Sequence, residues 1–142
     1  LIDSIKNKFG KNPSFIFEDG VIPPEYFHNS ICMISDWSGI SMEYAFTFER
    51  SVIFIDVPKK ILNPDADDLP LEPIEISIRR KIGHIISPKY IEKIPNIINN
   101  LGKNHEGIDK QIREICQKTV FNIKNSSKIG AEYIQQLIDA KI

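Results

Sequence analysis

An apolar run that ends abruptly at small polar residues constrains the fold of this chain more than any other feature. Residues 31–34 are entirely apolar, and a Ser-Asp-Trp-Ser-Gly segment follows them at 35–39. Apolar residues then recur four apart at Ile40, Tyr44 and Phe48, which is a helical spacing. The pattern predicts a buried parallel strand that passes directly into a helix. The amino end of such a helix carries partial positive charge and exposed N–H groups, so it favours phosphate or carboxylate.

Similar apolar runs alternate with helical patterns along the rest of the chain. Further strands are predicted at 13–18, 51–56 and 83–87, and helices at 1–10, 23–28, 74–80, 90–101, 109–121 and 127–142. Strands that are apolar on both faces and alternate with helices indicate a parallel sheet covered on both sides. We therefore expect one Rossmann-like α/β domain over residues 1–142, with C-terminal helices at 105–142. Because the first residue falls within a helical pattern, we expect the chain to be part of a longer protein.

Composition argues against several classes of function. The chain has 142 residues, and its 18 basic and 19 acidic side chains leave a net charge of -1, without the basicity typical of nucleic-acid binding. No apolar run approaches the roughly 20 residues of a membrane span, and no signal peptide is recognisable, so we expect a cytoplasmic protein. Cys32 and Cys116 lie far apart in apolar contexts, which predicts reduced thiols and no metal site. No cofactor is expected.

The sharpest candidate site is the turn after the strand at 31–34, since parallel sheets bind ligands at the carboxyl ends of their strands. Ser38, Gly39 and Ser41 combine hydroxyl groups with an uncovered backbone, which suits a diphosphate. Glu43 follows about one turn later, where its carboxylate could accept hydrogen bonds from ribose or polyol hydroxyls. The simpler alternative is that Ser38 or Asp36 only caps the helix.

A second candidate follows the strand at 51–56, which should lie beside the strand at 31–34. Asp56 and Lys59 could position a polyol and a phosphate, or could form a solvated turn. Trp37 could stack on a base or cover the core.

The remaining chain offers weaker candidates. Asp19-Gly20 follows the strand predicted at 13–18, and a proline-rich, acidic surface loop is predicted at 59–73. The chain has three histidines, His28, His84 and His105. They form no recognisable catalytic arrangement, so the catalytic residues are unknown.

Residues 34–45 (ISDWSGISMEYA), followed by residues 52–56 (VIFID), resemble the C-terminal half of the CDP-glycerol glycerophosphotransferase family, the teichoic-acid polymerases and primases. The family has a Ser/Thr-Asp-aromatic-Ser segment, then an acidic-Tyr-Ala helix and an apolar strand. Pro58-Lys59 and Asn63 extend the similarity, whereas Ser51 stands where the family often has proline.

The resemblance implies a GT-B architecture of two Rossmann-like domains, in which this chain is the C-terminal, donor-binding domain and the N-terminal half is its partner. By that similarity Ser38, Gly39 and Ser41 bind the donor diphosphate. The donor nucleotide or polyol would contact Asp36, Trp37, Glu43, Asp56 and Lys59. The full enzyme would transfer a polyol phosphate from a CDP-activated donor to a cell-wall, capsule or lipid-linked acceptor. It would work in the cytoplasm, peripherally at the inner face of the cell membrane.

Two other functions fit the same pattern. One is a GT-B glycosyltransferase or epimerase that acts on a UDP-sugar, and preference for UDP over CDP would distinguish it. The other is a non-catalytic α/β domain that uses the same sheet for protein contact.

Overall fold

The computed structural model describes residues 1–59, 70 and 72–140. They form two compact units, Leu1–Ser30 and Ile31–Ile142, and each is described by itself. The organisation of the chain as one domain stays a prediction. Most of the loop predicted at 59–73, including Asn63, lies outside the described residues.

The first unit contains two short helices, α1 (Ile2–Phe9) and α2 (Pro24–His28), where the sequence predicted them. The strand predicted at 13–18 is wrong, because these residues form turns and irregular backbone. An apolar run becomes a strand only when a neighbouring strand takes its backbone hydrogen bonds. Here the aromatic side chains pack locally instead, with the Phe9 and Phe15 ring centroids 5.6 Å apart.

The second unit is built on an open three-stranded sheet in which every pair is parallel. Its strands are β1 (Met33–Ser35), β2 (Val52–Ile55) and β3 (Gly83–Ile86), in the spatial order β1-β2-β3. In register, Met33 of β1 pairs with Val52, and Val52 pairs with Gly83 of β3. The fold is therefore mixed α/β with a parallel sheet, as the alternation of strands and helices predicted.

Helices connect these strands and follow them along the chain. They are α3 (Ile40–Phe48), α4 (Ile74–Ser77), α5 (Arg79–Ile82), α6 (Ile94–Lys103), α7 (His105–Thr119) and α8 (Ser126–Asp139), with a 3-10 helix at Pro88–Lys93. The helix predicted at 74–80 is two short helices. The one predicted at 90–101 becomes α-helical only at Ile94, which places Pro95 in the first turn, where proline is tolerated. Within the described chain, no helix combines the length and apolarity needed to cross a membrane.

The core of this unit surrounds β2. Val52, Ile53 and Phe54 are all 2% exposed or less, so both faces of the strand are covered, as in buried parallel sheets. The other buried apolar residues come from the helices; they are Tyr44, Ala45, Ile78, Ile82, Leu101 and Ile112. Helix α8 buries none of its residues.

Both cysteines are free thiols, as expected from the sequence. Burial raises the pKa of Cys32 and of Cys116, and the nearby Glu49 carboxylate raises the pKa of Cys116 further. Both groups therefore stay protonated at neutral pH and are poor nucleophiles.

The pairing of β2 with β3 predicts a strict requirement for glycine at position 83. A Cβ atom there would lie 1.8 Å from the Val52 carbonyl oxygen, although the backbone itself is fully extended. Gly83→Ala should therefore lower the free energy of unfolding by about 3 kcal/mol or more, measured by urea denaturation.

Gly107→Ala is the matched control for this substitution. Gly107 lies in α7, and a Cβ atom there meets nothing within 4 Å. Because glycine weakens a helix, this variant should gain about 0.5–1 kcal/mol. Equal effects of the two substitutions would contradict the close approach of β2 and β3.

Candidate functional site

The carboxyl ends of β1 and β2 lie side by side, as the sequence predicted. The Trp37 indole N–H, just after β1, donates to the Val57 carbonyl just after β2, at 2.9 Å. The Asp56 amide donates to the Ile86 carbonyl at the end of β3, at 2.8 Å. These two bonds hold the segments that follow the strands at one edge of the sheet.

The turn into α3 differs from the expected cap. The N-cap residue is Gly39, and neither Ser38 nor Asp36 caps the helix with its side chain. Gly39 has helical angles (φ −60°, ψ −29°), whereas a side-chain cap needs an extended N-cap residue. The first turn closes through the backbone instead, with the Ser41 amide donating to the Ser38 carbonyl at 3.2 Å.

This start leaves the amino end of α3 available to an anion. As the first N–H groups of a helix, the amides of Gly39 and Ile40 have no intrahelical acceptor. A Cβ atom on Gly39 would meet nothing within 4 Å, so neither φ nor crowding requires glycine there. The Ser41 hydroxyl already donates its proton to the Ser38 carbonyl at 2.7 Å, so it can only accept from a ligand.

A buried arginine that the sequence reading missed lies beside this turn. Arg79 opens α5, and its side chain is 4% exposed. The guanidinium carbon lies 3.7 Å from the centroid of the Trp37 ring and 4.8 Å from that of Phe54. Such stacking holds the plane of the guanidinium while leaving its N–H groups available at the edges.

The hydrogen bonding of Arg79 is incomplete. Its Nη1 atom lies 3.5 Å from the Asp56 carboxylate, which is long for a charge-assisted bond. The Nε and Nη2 atoms are buried and have no partner. These two donors lie on the same edge of the guanidinium, the edge that binds a carboxylate or phosphate with two parallel hydrogen bonds.

The same edge is occupied in another arginine of this chain. Arg113 uses its Nε and Nη2 atoms to bind both carboxylate oxygens of Glu49, with the Nε bond at 2.7 Å. This bonding lowers the pKa of Glu49 and raises the pKa of Arg113. Arg79 therefore presents, from a buried position, the donor pair that Arg113 uses to hold an oxyanion.

A small cleft brings half of the predicted site residues together around Arg79. It is lined by Asp36, Trp37, Ser38, Ser41, Met42, Phe54, Glu75 and Arg79. Its volume is about 10 Å³, close to that of one water probe, so a phosphoryl group could enter only if the lining side chains moved apart. A larger ligand would place one anionic group at Arg79 and extend across the rim.

Other predicted site residues lie away from the cleft lining. Glu43 is exposed on α3, and Lys59 is exposed after β2. Asp56 reaches the cleft only through Arg79, and its side chain is 52% exposed. No group of three or more metal-binding side chains occurs in the part of the chain that the structure describes.

The position of Arg79 in the sequence could have identified it as a candidate ligand. It follows Ile78 and precedes Ile82 by three residues, so it shares a helical face with a core residue. A basic residue on the apolar face of a short helix, next to a sheet, is a candidate anion ligand. The adjacent Arg80 and Lys81 made this signal hard to recognise, because a run of basic residues is typical of a solvent-exposed surface.

Comparisons of the chain with protein-family models, curated proteins and solved structures found no match.

The unpartnered donors of Arg79 predict that this residue contributes little to stability. Each buried N–H without a partner costs about 1–3 kcal/mol, and an apolar side chain of similar length removes that cost. Arg79→Met should therefore leave the free energy of unfolding unchanged or raise it by about 1 kcal/mol, measured by urea denaturation.

Asp56→Asn provides the comparison, because it removes the single ion-pair partner that the described residues give Arg79. It should destabilise the chain, and the double variant with Arg79→Met should recover that loss. A loss of several kcal/mol on Arg79→Met alone would identify a structural arginine and contradict a binding role.

Proposed function

We propose that this chain is the donor-binding domain of a glycerophosphotransferase-like enzyme. In this proposal it is a Rossmann-like domain and the C-terminal half of a GT-B architecture. The full enzyme transfers a polyol phosphate from a CDP-activated donor to a cell-wall, capsule or lipid-linked acceptor at the inner face of the membrane.

One observation carries the proposal: Arg79, whose buried Nε and Nη2 atoms have no partner, lines one cleft with Ser38, at the amino end of α3. A guanidinium edge and a helix N-terminus both favour phosphate oxygens, and they differ in how they do so. The arginine gives two directed bonds, and the helix adds amides and a partial positive charge. A diphosphate has two adjacent phosphoryl groups and could engage both.

The rim of the cleft suits the rest of such a donor. Asp36 and Glu75 line the cleft, and Asp56 approaches Arg79 from the exposed side. Carboxylates repel bare anions but accept hydrogen bonds from hydroxyl groups. A phosphate ester that carries a polyol or ribose therefore fits the rim better than inorganic phosphate does.

In the proposed reaction, an acceptor hydroxyl attacks the β-phosphorus of the donor. A bond forms between the acceptor oxygen and this phosphorus, and the bond between the phosphorus and the bridging oxygen breaks. CMP leaves with the electron pair, and the acceptor proton passes to a general base that we do not assign. Arg79 and the α3 amides would stabilise the negative charge that grows on the phosphates.

The test is a titration of the chain with CDP-glycerol, followed by the fluorescence of Trp37, the single tryptophan. Because the Trp37 ring stacks on Arg79, binding at the guanidinium should change its emission. Arg79→Met should weaken binding by about 10–100-fold, since it removes two charge-assisted hydrogen bonds. Arg79→Lys should recover only part of this loss, because an ammonium lacks the paired donors.

Lys110→Met is the control, since it removes an exposed cation of α7 that is not among the residues lining either cavity. It should leave CDP-glycerol binding unchanged. Equal losses in Arg79→Met and Lys110→Met would indicate non-specific attraction and contradict the proposal. Tighter binding of a UDP-sugar than of CDP-glycerol would favour the glycosyltransferase or epimerase alternative.

A further inference from the structure

A second hollow lies at the opposite, amino edge of the sheet, where β2 and β3 begin. Its volume is about 260 Å³, and its polar lining comes from Ser51, Arg80, Lys81, His84 and Gln111. This is below the roughly 300–1,000 Å³ of pockets that hold whole small-molecule ligands, so a compact group fits it better than a nucleotide. Because it is at the other end of the strands, it is separate from the cleft around Arg79.

A buried hydroxyl forms part of its wall. Ser51 is 4% exposed, and its Oγ atom has no hydrogen-bond partner. Its backbone is used, since the Ser51 carbonyl accepts from the Met33 amide at 3.3 Å. A buried hydroxyl without a partner is costly and calls for an explanation. Ser51 is one of the residues that line the hollow.

The charged groups around the hollow are cationic. Arg80 and Lys81 are both exposed, and the imidazole of His84 lies on the same side. No acidic side chain is found among the described residues of its lining, whereas Asp36 and Glu75 line the other cleft. The two cations with no opposing carboxylate make this hollow the more favourable of the two for a bare anion.

A backbone carbonyl near the hollow, which would repel an anion, is already hydrogen-bonded. Gln111 of α7 donates its side-chain N–H to the Lys81 carbonyl at 3.0 Å, which satisfies an acceptor at the end of α5. Gly83 adds no side chain to the hollow, and the approach of Val52 excludes one at this position. The wall therefore presents a hydroxyl and cationic side chains.

We propose that this hollow is an oxyanion site that binds a phosphate group. The Ser51 hydroxyl donates to a phosphate oxygen, and Arg80 and Lys81 neutralise its charge from the rim. The site is independent of the proposed donor cleft. The phosphate could belong to a soluble ion or ester, or to a lipid headgroup, and the chemistry of recognition is the same.

The test is a titration of the full 142-residue chain with inorganic phosphate, followed residue by residue in amide NMR spectra. Saturable shifts are expected at Ser51, Gly83 and His84. The double variant Arg80→Gln/Lys81→Gln should weaken this binding by about tenfold, and Ser51→Ala by about threefold, whereas Ser51→Thr keeps the hydroxyl and should keep most of the affinity. Lys128→Gln, on the exposed helix α8, should change nothing.

Two further measurements separate the sites and the sources of phosphate. Arg79→Met should leave the shifts at Gly83 and His84 intact, which distinguishes this hollow from the donor cleft. Sedimentation with anionic phospholipid vesicles, lost in the Arg80/Lys81 double variant, would identify a lipid headgroup, and no sedimentation would identify a soluble phosphate. Absence of saturable shifts at millimolar phosphate, or shifts that persist unchanged in the double variant, would overturn the proposal.

Discussion

Parallel pairing of β2 with both neighbouring strands is the constraint on which the rest of this structure depends. It places the carboxyl ends of all three strands at one edge, so the segments after β1 and β2 become neighbours although about twenty residues separate them. It also buries both faces of β2. This burial fixes the position of the Phe54 ring, beside which the Arg79 guanidinium lies. The strands approach so closely at Gly83 and Val52 that there is no room for a Cβ atom at position 83.

Arg79 is expected to contribute little to stability. The guanidinium is buried beside two aromatic rings, yet the one ion pair that the described residues give it is long and two of its donors are unpartnered. A core built for stability alone would place an apolar side chain there. By contrast, Arg113 is exposed, and Glu49 at the end of α3 binds both its Nε and its Nη2 atoms. The two arginines differ in whether the Nε and Nη2 edge has a partner, and the proposed binding role of Arg79 depends on this difference.

Much of the sheet was predictable from sequence, since residues 31–34, 51–56 and 83–87 are short apolar runs between turn residues. The same signal failed at 13–18, because an apolar run does not reveal whether a partner strand is available. The Asp36 or Ser38 cap failed because Gly39 adopts helical angles, which residue types alone do not specify. Arg79 and Glu75 were missed because the site is completed by residues that are distant in sequence, and a short charged helix resembles a solvated surface.

In the proposed complex, the Nε and Nη2 edge of Arg79 binds the donor diphosphate at the amino end of α3. A crystal structure of the chain with bound CDP-glycerol tests this interaction most directly. It should show a phosphoryl group with two oxygens at hydrogen-bond distance from Nε and Nη2, and a second phosphoryl group facing the amides of Gly39 and Ile40. A diphosphate bound elsewhere, with both Arg79 donors left without a ligand oxygen, would contradict it.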